Sequence, residues 1–352
     1  MMKFNKGEWA ELYTVCYILN NGELQVADDN LMPTYQRVKI LKLFMNSIFG
    51  ESAYDIKSKG IFLINDQSPV STFHTTSRDI DDLFNEINAG SGRSFSLISG
   101  ERIMKSLHIA SFKASSYQKA DINTLSIMPQ EKIPRDVGFS IKSQIGGLAT
   151  LLNASKSTNF TYEVVGFCGN DNDINSINSN FGKIKKRIDI IKNNGGQFIF
   201  RKIDSCSFNQ NLRLVDSQYP DILADMLLCY FSNSGISSIQ DIVKDVSSKV
   251  GICMTKAEIE SKTKYFLNRI ALGMIPTKVW DGNLLDGGCI FVKRDGNILC
   301  YTLYDMDYFN NYLFKNTKFD TASTKRHEFG KLFTGDDGKK YFKLNLDIRF
   351  IY

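Results

Sequence analysis

The chain predicts an α/β fold, and three observations carry that reading. Apolar residues alternate with polar ones at Val137, Phe139 and Ile141, the period of a strand with one buried face. Trp9, Leu12, Tyr13 and Cys16 recur at helical spacing near the N-terminus. Chain breakers separate such segments, as Pro134 and Arg135 do after the apolar run of Ile122, Leu125, Ile127 and Met128.

In order along the chain, residues 8–19 form an amphipathic helix whose Glu8 and Glu11 lie three apart and can share a face. Residues 37–49 are a second helical segment, 60–64 a short strand, and 78–88 a third helix capped by Ser77. The runs at 122–128 and 137–141 are antiparallel neighbours. Strands at 160–167 and 197–203 follow, with a basic helix at 182–193 between them, so the α/β sheet core reaches to about residue 210. The Asn-rich run 169–180 reads as a loop, because its turn formers oppose a buried element. Beyond Gln210 the pattern turns helical: Pro220 opens a helix through Phe231, and Lys256 opens another through Leu272. Residues 287–304 make a hairpin turning at Arg294-Asp295-Gly296-Asn297. A soft boundary near residue 212 then divides a core of residues 1–212 from a C-terminal region of residues 213–352.

The 352 residues suffice for one large domain or two ordinary ones. A net charge of +5 suits a polyanionic partner without specifying one. Seven scattered cysteines form no CxxC pair, which argues against a disulfide scaffold or zinc site and for a reducing cytoplasm. No N-terminal stretch reads as a signal peptide, and no uninterrupted apolar run is long enough to span a bilayer.

The chemistry concentrates on the two neighbouring strands. Lys119-Ala120-Asp121-Ile122 opens the first, and Phe139-Ser140-Ile141-Lys142-Ser143-Gln144 belongs to the second. With Val137, Phe139 and Ile141 on the buried face, Ser140, Lys142 and Gln144 share the other at intervals of about 7 Å. Asp121 at the start of the partner strand can supply an oxygen to magnesium, which takes one or two protein carboxylates plus water and phosphate oxygens. Lys142 can orient or help deprotonate the attacking water and offset charge on the phosphate. That is the minimum equipment for metal-assisted cutting of a phosphodiester. The same spacing also allows an ordinary hairpin with a solvated Asp and Lys.

A longer set of motifs carries a resemblance. Lys113-Ala114-Ser115-Ser116, Lys119-Ala120-Asp121-Ile122, Gly138-Phe139-Ser140-Ile141-Lys142-Ser143-Gln144-Ile145-Gly146, Thr150-Leu151-Leu152-Asn153-Ala154-Ser155 and Thr158-Asn159-Phe160 resemble the core of the HpaII family of type II restriction endonucleases. Asn5-Lys6-Gly7-Glu8-Trp9-Ala10-Glu11-Leu12 is similar to that family's opening. Trp280-Asp281-Gly282, Asn316-Thr317-Lys318, Ser323-Thr324-Lys325-Arg326-His327-Glu328-Phe329-Gly330 and Leu344-Asn345-Leu346-Asp347-Ile348-Arg349-Phe350 follow in the family's order. The resemblance spans nearly the whole chain.

It implies a mixed-sheet, restriction-endonuclease-like core of the PD-(D/E)xK class, followed by a mostly helical plus hairpin DNA-recognition region. It also implies magnesium-dependent cleavage of double-stranded DNA at the palindrome CCGG, with a cytosine methyltransferase of matching specificity in the same host. The class usually carries an acid two residues before the lysine, where this chain has Ser140. Asp121 is then the metal ligand, Lys142 the water-positioning cation, and Ser140 and Gln144 complete the site. Glu8 is the first candidate for the missing acid, on an early helix, and Glu163 the second. Thr150, Asn153, Ser155 and Asn159 are placed to hold phosphates or base edges. Lys325 and Arg326 lie in a polar loop, where Arg326 suits a bidentate guanine contact or neutralises an anion nearby. A sequence-specific DNA-binding protein with degenerate cleavage, or a repair or RNA-directed nuclease, stays open beside this reading. A palindromic site favours two-fold symmetry, but no interface is legible, so the oligomeric state, a dimer included, is left open.

Overall fold

The protein is a mixed α/β chain with a large mixed sheet, seen in a computed structural model that describes residues 2–66, 68–110, 120–179, 184–233, 235–248 and 254–351. It divides into two compact units, each made of two stretches of chain. Met1–Ala149 with Leu284–Tyr312 form the first, and Thr150–Asn283 with Leu313–Tyr352 the second.

The chain opens with α1 (Lys6–Asn21), β1 (Glu23–Ala27), β2 (Pro33–Ser47), β3 (Gly50–Asp55), β4 (Gly60–Leu63) and β5 (Pro69–Thr72). Helices α2 (Ser77–Ala89) and α3 (Ile98–Ser106) lead to β6 (Ile122–Ile127) and β7 (Arg135–Ser143). The second unit begins with β8 (Thr150–Leu152), β9 (Asn159–Val165), α4 (Asp171–Ser179), α5 (Ile184–Asn193) and β10 (Gln197–Ile203). Four helices follow: α6 (Cys206–Val215), α7 (Tyr219–Ser232), α8 (Ile239–Val246) and α9 (Lys256–Leu272). Strands β11 (Gly288–Val292) and β12 (Ile298–Tyr301) return to the first unit, and α10 (Met306–Lys315) leads out of it. Then come β13 (Thr317–Phe319), α11 (Thr324–His327), β14 (Leu332–Thr334), β15 (Lys340–Asn345) and β16 (Ile348–Phe350).

The first unit holds a nine-stranded sheet in the order β1-β12-β11-β7-β6-β2-β3-β4-β5, with β1 also paired to β2. That extra pairing closes six strands into a ring and leaves β3 to β5 as an extension, so the central strands have no open edge. The pairs β1–β12 and β11–β7 are parallel and the others antiparallel. Trp9, Leu12, Cys16 and Leu19 of α1 are fully buried and share one core with Val137, Phe139, Ile141, Ile290 and Val292. Each such side chain stabilises the fold by about 1.5–3 kcal/mol, and together they fix α1 against β7. In the second unit, β10-β9-β15-β14 form one sheet and β13-β16-β8 another. The buried Tyr162 hydroxyl of β9 donates to the carbonyl of Ala224 in α7 at 2.7 Å, tying sheet to helix.

Several sequence expectations change. Residues 37–47 of the expected helix at 37–49 belong to the fifteen-residue strand β2, and residues 48 and 49 form the turn after it. A bulge between Ile40 and Lys42 shifts its alternation, so Ile40 and Leu43 fall three apart and imitate helical spacing. Residues 171–179 are helical where a loop was expected, because Asn170 accepts from the amides of Asn172 and Asp173 at 2.8 and 3.2 Å while Asp173 accepts from Asn170, a reciprocal cap. Helix α2 is capped by Thr76 with Asp79, one residue before the expected Ser77. The expected boundary at residue 212 falls inside α6. Among the described residues, the sheet holding β7 takes no strand from residues 150–210 and instead takes the β11–β12 hairpin, expected in the C-terminal region, through parallel pairing with β7.

Candidate active site

Strands β6 and β7 form the expected antiparallel pair, whose last matched residues at one end are Ile122 and Phe139. Just beyond them the ladder is continued by a side chain. The Asp121 amide donates to the carbonyl of Phe139 at 2.9 Å. Its carboxylate Oδ2 then accepts from the amide of Ile141 at 2.6 Å, standing in for a backbone carbonyl. The Ser140 hydroxyl donates to the same Oδ2 at 3.1 Å, and Lys142 Nζ donates to Ser140 Oγ at 3.0 Å. A hydroxyl can accept and donate at once, so ammonium, hydroxyl and carboxylate form one hydrogen-bonded row. Asp121 is exposed, and its Oδ1 takes part in none of these bonds.

Both faces of β7 are covered, which differs from the expected one-sided hairpin. Ser140 and Lys142 lie in register with Cys289 and Phe291 of β11. Burial pushes the Cys289 thiol up to about 12, with Lys142 lowering it and Asp121 raising it. Gln144, expected to complete the site, has its side chain hydrogen-bonded to the Tyr312 hydroxyl of α10, and burial holds that hydroxyl above its ordinary value. That bond links α10 to the strand end.

The carboxylate of Glu8, the expected second acid, accepts from the Asn5 amide at 2.8 Å while Asn5 Oδ1 accepts from the Glu8 amide at 3.0 Å. Glu8 thus closes the capping box of its own helix, which the Asn-x-x-Glu spacing already contained. Glu11, one turn later, is half-buried. Burial first, then Asp121 and Glu8, raise its carboxyl to about 8 against a smaller lowering by Lys142. Sequence reasoning placed Glu11 on the face of Glu8 but gave it no role; the signal available was that shared face.

Glu163 belongs to the second unit, on β9, where Arg201 and Lys339 bind its carboxylate at 2.7 and 3.3 Å. Burial pushes this carboxyl up, and the hydrogen bonds from Arg201 and Lys339 more than reverse it. Among the described residues no group of three His, Cys, Asp or Glu side chains stands close enough to hold a metal ion. Carboxylate oxygens are nevertheless the hard donors that magnesium takes one or two at a time, so Asp121, whose Oδ1 has no hydrogen bond among the described residues, fits that ion.

The expected recognition residues lie in the second unit. Asn153 is exposed, Thr150 and Ser155 are half-buried, and Lys325 and Arg326 of α11 are exposed. Asn159 is buried: its Nδ2 donates to the carbonyl of His327 at 2.9 Å, and its Oδ1 accepts from Asn345 Nδ2 at 2.7 Å. Its amide therefore anchors the segment that carries Lys325 and Arg326, and its side chain is engaged within the protein where a contact with DNA was expected. Lys156 pairs with Glu328 at 2.6 Å and joins the same two segments. Residues 113–116 and Lys119 of the motifs, the start of the expected helix at 182–193, and Cys253 lie outside the described residues, and among the described residues the other six cysteines form no disulfide. Among the described residues no helix is long and apolar enough to cross a membrane.

The family model of the HpaII restriction endonuclease matches residues 5–350. The chain is 38% identical, over 359 residues, to the type II restriction enzyme HpaII of Haemophilus parainfluenzae, a match covering 99% of this chain and 98% of that one. No solved structure matches it.

Proposed function

Because this chain belongs to the HpaII restriction endonuclease family and is a type II restriction endonuclease, a site-specific deoxyribonuclease acting on double-stranded DNA, we propose that it cuts both strands at CCGG with magnesium. The observation that carries the chemistry is the row of Lys142, Ser140 and Asp121. A bound magnesium ion supplies Lewis-acid polarisation of the phosphate and a readily deprotonated water. Asp121 would hold the ion, while its Oδ2 stays bonded to the Ile141 amide of β7. Lys142 faces the scissile phosphate, offsets the charge that grows on it, and orients the attacking water. The Ser140 hydroxyl cannot replace an anionic ligand, but it fixes the distance between Lys142 and Asp121. On this reading the nine-stranded sheet with its acid–lysine pair is a PD-(D/E)xK core in which serine stands at the usual acid position.

In the second unit, Lys325, Thr150, Asn153 and Ser155 grip phosphates or base edges, and Arg326 presents two parallel donors to guanine O6 and N7. The host, a cell whose cytoplasm houses the enzyme, protects its own CCGG sites with a cytosine methyltransferase.

Asp121→Ala and Lys142→Ala test the chemistry. Each should lose cleavage by about 10³-fold or more, the scale of removing a preorganised electrostatic partner. Lys142→Ala should still retard DNA, since phosphate contacts elsewhere supply much of the affinity. Wild-type cutting rates in either variant would sink the assignment.

A further inference from the structure

We propose that Arg349 of β16, oriented by Asp320 and Asp347, is a second guanine-reading arginine beside Arg326, on a three-strand face that it shares with Lys318 and Thr150. Each half of CCGG carries two guanines, and one arginine fork satisfies only one of them. The inference rests on the reading of CCGG as the target and adds a base contact to it.

The face follows from register. In the sheet β13-β16-β8, Lys318 is paired with Arg349, and Arg349 with Thr150. Paired residues share one side of a sheet, and side chains alternate along each strand. The flanking Thr317, Phe319, Ile348 and Phe350 therefore turn the other way, where all four are buried. Lys318, Arg349 and Thr150 are each half-buried and form one row across three strands, about 4.8 Å between neighbours. The row offers two cations and a hydroxyl, the groups that meet phosphates and base edges.

Arg349 is held in an unusual way. Its Nε lies 3.0 Å from Asp320 Oδ2 and 3.3 Å from Asp347 Oδ2. An arginine paired with a carboxylate frequently meets it fork to fork, through two parallel N–H bonds. Here two acids converge on the single Nε, and among the described residues no hydrogen bond uses either terminal nitrogen. Those two nitrogens are parallel donors of the kind that fits guanine O6 and N7. Asp347 is 2% exposed, whereas the Arg349 side chain remains 37% exposed. The pivot of the guanidinium is thus fixed inside the protein while its head reaches solvent. A side chain held in this way gives up its rotamer freedom before DNA arrives, so less is lost on binding.

Binding of short CCGG duplexes to the full-length chain in chelator, read by fluorescence anisotropy, tests this apart from cleavage. In the probe duplexes 7-deazaguanine, which lacks the N7 acceptor, replaces the inner or the outer guanine of both strands. Wild type should lose about fivefold or more in affinity at each position. Arg349→Lys keeps a charge beside Asp347 but not the fork, so it should lose sensitivity at one guanine and keep it at the other. Asp320→Asn should show a reduced sensitivity at that same guanine, and full wild-type sensitivity there overturns its positioning role. Arg349→Lys that responds like wild type at both guanines, or that weakens CCGG and unrelated duplexes equally, overturns the assignment and leaves the CCGG reading standing. A wild-type chain that binds CCGG no better than an unrelated duplex overturns the CCGG reading itself.

Discussion

Replacing Glu11 by glutamine should stabilise the metal-free protein, and only at neutral to alkaline pH. In the fold its carboxyl is raised from 4.5 to about 8, chiefly by burial and then by Asp121 and Glu8. A raised folded-state value means that the contribution to stability is fully present below the unfolded value. It is lost as pH climbs through the folded one. The full shift corresponds to on the order of 5 kcal/mol at about 1.36 kcal/mol per unit. Solvent screening of a half-buried group reduces this to about 2–3 kcal/mol. Glutamine cannot ionise and escapes the loss. With an unfolding entropy of about 2.1 cal/mol/K per residue, a chain of 352 residues melting as one should gain roughly 3–4 °C. If the first unit melts alone, the gain is about twice as large. Thermal melts by circular dichroism in chelator, at intervals from about pH 5 to 9, give the readout. The difference in Tm should be small at pH 5, grow through pH 6 and 7, and level off above about pH 8. A flat difference across that range, or a variant less stable than wild type at pH 8.5, would refute the account of Glu11 as a buried acid surrounded by like charge.

Two further outcomes follow from the second unit and from the proposed target. Asn159→Ala should cost about 1–3 kcal/mol in urea unfolding, because it takes from the carbonyl of His327 the donor that Asn159 supplies and removes one of the three acceptors of the buried Asn345 amide. A change under about 0.5 kcal/mol would return Asn159 to the DNA-contacting role that sequence suggested. Methylation at C5 of the inner cytosine of CCGG should slow cleavage more than binding, since a lost base contact costs roughly 1–3 kcal/mol and a clash misaligns the phosphate besides. Comparing methylated and unmethylated duplexes in single-turnover cleavage and in gel retardation checks this, and equal cutting of both would exclude readout at that edge.

The hairpin of β6 and β7 was legible because alternation, chain breakers and register are local signals, and Asp121, Ser140 and Lys142 sit on it together as the sequence suggested. Gln144 and Glu8 have hydrogen-bond partners in the fold that bear on the roles expected of them. Glu8 is claimed by Asn5, whose capping spacing was readable, while Gln144 is claimed by Tyr312, more than 160 residues away and invisible to any local pattern. The same limit explains the domain boundary. Parallel pairing of β11 with β7 draws residues 288–292 back into the first unit, and nothing in either strand's composition names the other. Strand β2 failed for the opposite reason: a bulge made a local signal misleading.

The central claim is that this fold cuts DNA at one palindrome by metal-assisted chemistry at Asp121 and Lys142, and a plasmid digest tests it most directly. Purified wild-type chain is incubated with a plasmid bearing mapped CCGG sites, in magnesium and in chelator, and the fragment ends are sequenced. The account predicts discrete fragments that all end within CCGG, formed in magnesium and absent in chelator. Fragments ending at another sequence, smeared products, or equal cutting in chelator would contradict it.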